Sequence, residues 1–203
     1  MIAKKKIGIY GGTFSPPHIG HVRAAEHFAS HLSLDELIIM PDFLPPHKQI
    51  DGEVETFDRL QMCRLAFSHI DKVNISDFEI NRGGKSYTVL TLEAFCAEDR
   101  ELYFLCGTDM FLTLEGWYSF EKIFKLATVC YVRREDDSQI ERKIEELTNR
   151  YESKYDARII PIPVSVTEIS SSKLRQLLKL GDNAKSYLTD SVYKYIQEKG
   201  LYS

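Results

Sequence analysis

The chain has 203 residues, 43% apolar and 28% charged, and its 26 Lys and Arg against 30 Asp and Glu give a formal net charge of −4. That length supports a well-buried core in a single domain, residues 1–203, and the composition is ordinary for a soluble globular protein. The acidic balance argues against a nucleic-acid surface, and no run reaches the ~20 apolar residues of a membrane span, so neither nucleic acid nor a membrane is an expected partner.

Lys4-Lys5-Lys6 precedes only a short apolar run, which is not a signal peptide. Cys63, Cys96, Cys106 and Cys130 show no C-x-x-C spacing and mostly lie in apolar runs. They read as buried thiols of a reducing compartment, and the expected location is cytoplasmic.

In chain order, Ile7–Tyr10 reads as a buried strand, and a helix follows from Gly20 to about His31. Glu36–Met40 is a second strand, leading into the proline-punctuated loop Pro41–Gln49. Thr56–His69 has helical spacing through Phe57, Leu60, Cys63, Leu65 and Phe67. Val73–Phe78 alternates like a strand, and Asn81–Gly84 reads as a turn. Ser86-Tyr87-Thr88 opens a helix over Val89–Cys96. Leu102–Cys106 is a strand stopping at Gly107-Thr108-Asp109, Met110–Leu114 a short helix or turn, Ser119–Leu126 a helix, and Thr128–Val132 a strand. A helix with capping-box form starts at Ser138, with Ile140, Ile144, Leu147 and Tyr151 on one stripe. Ile159–Ile162 is a last strand, and helices over Ser170–Leu180 and Ser191–Lys199 end at Gly181 and Gly200. Strands alternating with amphipathic helices indicate an α/β fold with a parallel sheet. The polar loops Gly11–His21, Pro41–Gln49, Gly107–Asp109 and Val132–Arg134 all follow strand ends, the edge where such sheets bind ligands.

Two segments carry chemistry. Gly11-Gly12-Thr13-Phe14-Ser15-Pro16-Pro17-His18-Ile19-Gly20-His21 puts a glycine turn and two histidines three apart at a helix start. Backbone amides there can approach an anion, and imidazoles add donors. Alone, the pair also fits a plain capped helix start, and a metal reading finds no third ligand at convincing spacing. Ile169-Ser170-Ser171-Ser172-Lys173-Leu174-Arg175 places three hydroxyls at a helix start and a guanidinium one turn on, which suits a polyphosphate as well as a simple N-cap. The glycines match neither G-x-G-x-x-G nor a P-loop, which disfavours a Rossmann-type redox enzyme.

Taken together, these segments resemble the H-x-G-H nucleotidylyltransferase superfamily, through His18-Ile19-Gly20-His21 and the later Ile-Ser-Ser-Ser-x-x-Arg run. Pro45-Pro46-His47-Lys48, Ser86-Tyr87-Thr88, Gly107-Thr108-Asp109-Met110 with Trp117-Tyr118, and Tyr195–Tyr202 look like the bacterial nicotinate-mononucleotide adenylyltransferase family. The similarity covers essentially the whole chain. Ser15 stands where many members have aspartate, and Ser172 where threonine is usual.

That resemblance implies a Rossmann-like doubly wound parallel sheet with helices on both faces. It also implies transfer of the adenylyl group of ATP to nicotinate mononucleotide, giving nicotinate adenine dinucleotide and pyrophosphate in NAD biosynthesis. Gly11, Gly12 and Thr13 would donate to the ATP phosphates, with Phe14, Gly20 and Ile169 in the same ATP-binding segments. His18 and His21 would donate to the α and β region. Ser171, Ser172 and Arg175 would hold the β- and γ-phosphates, and Lys48 would bridge the reacting phosphates. His18, His21, Lys48 and Arg175 are thus the implied catalytic set. Tyr87 and Thr88 would face the pyridine carboxylate through their amides, Trp117 would stack on the ring, and Asp109 would accept from ribose hydroxyls. Mg²⁺ is expected with ATP rather than in a protein cage. The alternatives are an acceptor such as nicotinamide mononucleotide or phosphopantetheine, and a non-catalytic ATP-binding module. Whether the chain forms a homo-oligomer stays open.

Overall fold

A computed structural model describes residues 3–46, 54–133, 138–164 and 169–202. Six parallel strands form one sheet in the order β3-β2-β1-β4-β5-β6. They are β1 (Lys5–Gly12), β2 (Glu36–Pro41), β3 (Val73–Ile75), β4 (Arg100–Cys106), β5 (Ala127–Arg133) and β6 (Ile159–Pro163). The expected doubly wound α/β architecture is what the chain forms.

Strand residues alternate between the two faces of the sheet, as the period of two requires. Ile7 and Ile9 of β1, Ile38 and Met40 of β2, and Leu102, Phe104 and Cys106 of β4 join one buried cluster. Tyr10, Leu37, Ile39, Tyr103 and Leu105 join the other. Both faces are covered, so the strands read as continuous apolar runs rather than alternating ones.

On one face lie α1 (Ile19–Leu32), α2 (Thr56–Phe67), α8 (Ser171–Leu180) and α9 (Asp190–Lys199), through Phe28, Met62, Leu174 and Ile196. On the other lie α4 (Thr88–Phe95), α5 (Thr108–Phe111), α6 (Phe120–Leu126) and α7 (Ser138–Tyr155), through Leu92, Phe111, Ile123 and Tyr151. A fully buried ring such as Phe28 contributes about 2 kcal/mol from apolar area alone. The glycines expected to end α8 and α9 do so: Gly181 and Gly200 sit at φ 70° and 61°, in left-handed conformations.

Four expectations need correction. The third strand stops at Ile75, and Phe78 opens a short helix, α3 (Phe78–Arg82), which absorbs Asn81 and Arg82. Alternation over six residues cannot distinguish a strand from a strand followed by one helical turn. Only Gly83 and Gly84, both at positive φ, form the turn. Phe57 faces solvent at 60% exposure although its spacing suggested the buried face of α2. Cys96 is exposed, while Cys63, Cys106 and Cys130 are buried free thiols. The capping side chain of Ser138, Lys48 and its neighbours in the Pro41–Gln49 loop, and Arg134 fall outside the described residues. No helix among the described residues is long and apolar enough to cross a membrane.

The chain turns from one half of the sheet to the other between β1 and β4, which are paired neighbours. β1 runs out to β2, β3 on one side; β4 runs out to β5, β6 on the other. Loops leaving the carboxyl ends of β1 and β4 therefore diverge to opposite faces and open a crevice between them.

Candidate active site

A cleft of about 660 Å³ occupies this crevice. Its floor begins at Gly11 and Gly12, the last residues of β1. Phe14 takes a left-handed φ of 47° and the Ser15–Pro16 bond is cis. His18 is the N-cap of α1, extended at φ −125° and ψ 171°, and it is buried. Its backbone N–H donates to Nδ1 of His21 at 3.2 Å. The two rings stack with centroids 3.7 Å apart and planes 25° from parallel. Because Nδ1 of His21 accepts, a neutral ring there carries its proton on Nε2, which makes that nitrogen a donor. Phe14 props His21 edge-on at 5.1 Å.

The far wall is the start of α8. Its three serines have separate duties. Ser170 is the N-cap, accepting from the Lys173 N–H at 3.2 Å. Ser171 donates its hydroxyl to the Pro16 carbonyl at 3.1 Å. Ser172 accepts from Arg175 Nη2 at 3.2 Å, while Nη1 of Arg175 donates to the Ser15 carbonyl at 2.9 Å. The late segment is thereby bonded directly onto the early one.

At the other end the cleft is lined by Tyr87 and Thr88 at the start of α4, by Gly107, Asp109 and Met110 after β4, and by Trp117 and Tyr118. Trp117 is half-buried, 6.1 Å edge-to-face from Phe104. Tyr87 and the exposed Tyr118 approach to 4.7 Å. The Tyr87 amide donates to the Lys85 carbonyl at 3.0 Å, so in this arrangement it is engaged within its own turn. Gly107 is the N-cap of α5. A Cβ on Gly107 would lie 2.6 Å from Asp109 Oδ1, so the glycine keeps that carboxylate's position open.

Every sequence-predicted site residue within the described chain lines this one cleft: Gly11, Gly12, Thr13, Phe14, His18, Gly20, His21, Tyr87, Thr88, Asp109, Trp117, Ile169, Ser171, Ser172 and Arg175. Lys48 lies outside the described residues. The Thr13 hydroxyl, expected to face phosphate, instead donates to Asp42 Oδ2 at 2.8 Å.

Sequence reasoning missed the support beneath the loops. Arg59, only 1% exposed, donates from Nη1 to the Thr13 carbonyl at 2.7 Å and to Asp42 Oδ1 at 3.1 Å. Its Nη2 donates to the Asp42 carbonyl at 2.7 Å. One buried guanidinium thus fixes the loops after β1 and β2 together. Glu79 was missed as well. It is a buried carboxyl on the cleft wall that accepts from the Thr91 hydroxyl. Burial raises its pKa, against the lowering effects of the Thr91 and Ser86 hydroxyls. An arginine inside an apolar helical stripe, as Arg59 is, was the available signal for the first. Glu79 lay between a segment read as a strand and one read as a turn, so it carried none.

Among the described residues no cluster of three His, Cys, Asp or Glu could hold a metal ion. What the cleft supplies is imidazole, hydroxyl, guanidinium and helix-start amides, a set suited to phosphate oxygens.

The cytidylyltransferase-like family model matches residues 9–177. A curated protein of Listeria monocytogenes, named "Probable nicotinate-nucleotide adenylyltransferase", is 34% identical over 98% of this chain and 98% of its own. A protein of the same name from Desulfatibacillum aliphaticivorans is 35% identical over 97% of this chain and 99% of its own. Among solved structures, the nicotinic acid mononucleotide adenylyltransferase of Plasmodium falciparum complexed with NaAD superposes with a TM-score of 0.75. It covers 98% of this chain and 97% of its own at 20% identity, which speaks to the fold.

Proposed function

The chain belongs to the nicotinate-nucleotide adenylyltransferase family, and from that premise we propose that its cleft joins ATP to nicotinate mononucleotide, releasing pyrophosphate. The observation that carries the reading is convergence. The N-terminal ends of α1, α4 and α8 all border one crevice, with the stacked His18 and His21 at the start of α1.

Both substrates are anions, so the reaction's main obstacle is repulsion as the mononucleotide phosphate meets the ATP α-phosphorus. No protein nucleophile is required. The acceptor oxygen forms a bond to phosphorus as the bond to the pyrophosphate oxygen breaks, and catalysis is positioning with charge stabilisation. Gly11 and Gly12 let backbone amides reach the phosphates. His18 and His21 donate hydrogen bonds where charge builds on the leaving pyrophosphate. Ser172 and Arg175 hold its far end, Arg175 exchanging or sharing its present partners. Lys48 is assigned to the space between the two reacting phosphates.

For the acceptor, Trp117 stacks on the pyridine ring, Asp109 accepts from ribose hydroxyls, and the start of α4 receives the ring carboxylate. Thr88 is the first residue of that helix, and an anion is favoured at a helix start. Mg²⁺ would enter with ATP and be held by its phosphates and water, since the donor set on the cleft wall complements phosphate rather than caging an ion. When bound it neutralises charge on the phosphates that the protein's own donors orient.

The test is stoichiometry. Purified protein given MgATP and nicotinate mononucleotide should form pyrophosphate and dinucleotide in equal amounts. ATP binding with no pyrophosphate would mean a non-catalytic nucleotide-binding module.

A further inference from the structure

The loop between β1 and α1 sets where His18 sits. Two of its carbonyls are taken by α8, through Arg175 to Ser15 and Ser171 to Pro16. The Ser15 side chain, only 3% exposed, is held from elsewhere: its hydroxyl lies 3.0 Å from the hydroxyl of Tyr202, 187 residues later. Tyr202 follows α9, in the turn after Gly200.

Two features set Tyr202 apart from an ordinary packing residue. Its φ is 64°, left-handed backbone that a bulky residue adopts at a cost and glycine adopts freely. Its side chain is half-buried, and burial raises the pKa of its phenol against the lowering effects of the Ser15 hydroxyl, Arg175 and Arg59. Tyr202 itself does not line the cleft, whereas Ser15 does. Its hydroxyl contact with Ser15 joins Tyr202 to the cleft lining.

We propose that Tyr202 is a positioning residue for the transfer reaction, fixing the His18 loop through its hydroxyl contact with Ser15. The proposal rests on the adenylyl-transfer reading. A serine hydroxyl at position 15 gives the phenol a hydrogen-bond partner without adding a negative charge beside the phosphate site.

Tyr202→Phe removes one oxygen and keeps the ring. In the full chain, Tyr202→Phe and Ser15→Ala should each lower kcat about three- to tenfold, while KM for nicotinate mononucleotide moves less than about twofold. The double variant should be no slower than the slower single one, because both remove the same contact. Ser15→Asp, which can accept from the phenol, should keep more activity with Tyr202 present than with Phe at that position. Wild-type kcat in Tyr202→Phe, or losses that simply add, would overturn the proposal. Ring-proton NMR resonances of His18 report loop position whatever the acceptor. If they are unshifted in Tyr202→Phe the proposal fails, even where the wild-type protein releases no pyrophosphate, a result that would separately remove the assigned reaction.

Discussion

His18 contributes to the cleft in two separable ways. Its backbone N–H orients His21, and its ring stacks on the His21 ring. His18→Ala keeps the first and removes the ring together with its proposed hydrogen bond to the leaving pyrophosphate, so kcat for pyrophosphate release should fall on the order of 10²-fold with circular dichroism unchanged. A fall of less than about twofold would remove His18 from the charge-stabilising set. Glu79 gives a prediction of a different kind. Its folded-state pKa is raised, chiefly by burial. The folded chain therefore holds that proton more tightly than the unfolded one does. The resulting stabilisation is full below the ordinary carboxyl value and is lost as pH rises through the raised value. Glu79→Gln should melt higher than wild type at neutral pH, and the gain should vanish on acidification; a pH-independent difference would contradict this. His18 and His21 were legible because two histidines in a glycine- and proline-bounded turn are chemically conspicuous. Asp42, Arg59 and Glu79 were not. Their partners are distant in sequence, as with Arg59 and the Thr13 carbonyl, 46 positions apart.

At the scale of elements, the site depends on how closely α1 lies on β1. Gly8 shows how little space is left. A Cβ there would come within 2.4 Å of Leu34 Cδ1, 2.8 Å of Phe28 Cε1 and 3.2 Å of Leu37 Cδ1. Gly8→Ala should destabilise the fold by about 1–3 kcal/mol, read as a lower urea midpoint at unchanged slope. An unshifted midpoint would mean that those side chains move aside freely. The strand itself was readable from Ile7, Ile9 and Tyr10, but the reason for Gly8 was not, since nothing in the sequence says which helix crosses it. The same limit explains α3. Its five residues have no room for a helical period, and its cues, Asn81 and Gly83, are those of a turn. Longer elements such as α1 and α7 repeat their apolar spacing often enough to be recognised.

At the scale of the molecule, an acidic chain of net charge −4 binds anions because the attraction is local. Helix-start amides, hydroxyls, imidazoles and Arg175 meet at the strand-order reversal, where a doubly wound sheet places its loops whatever the surface charge. That clustering was readable in advance, since the suspect loops all follow strand ends. What sequence could not supply was the acceptor end's detailed geometry, where the Tyr87 amide is turned onto Lys85. The central claim is the pairing of ATP with one acceptor, and the most direct test compares kcat/KM for pyrophosphate release with nicotinate mononucleotide, nicotinamide mononucleotide and phosphopantetheine, each with MgATP. The account predicts that nicotinate mononucleotide is preferred, by roughly tenfold or more if its ring carboxylate meets dedicated donors. Equal or greater activity with either of the other two would contradict it.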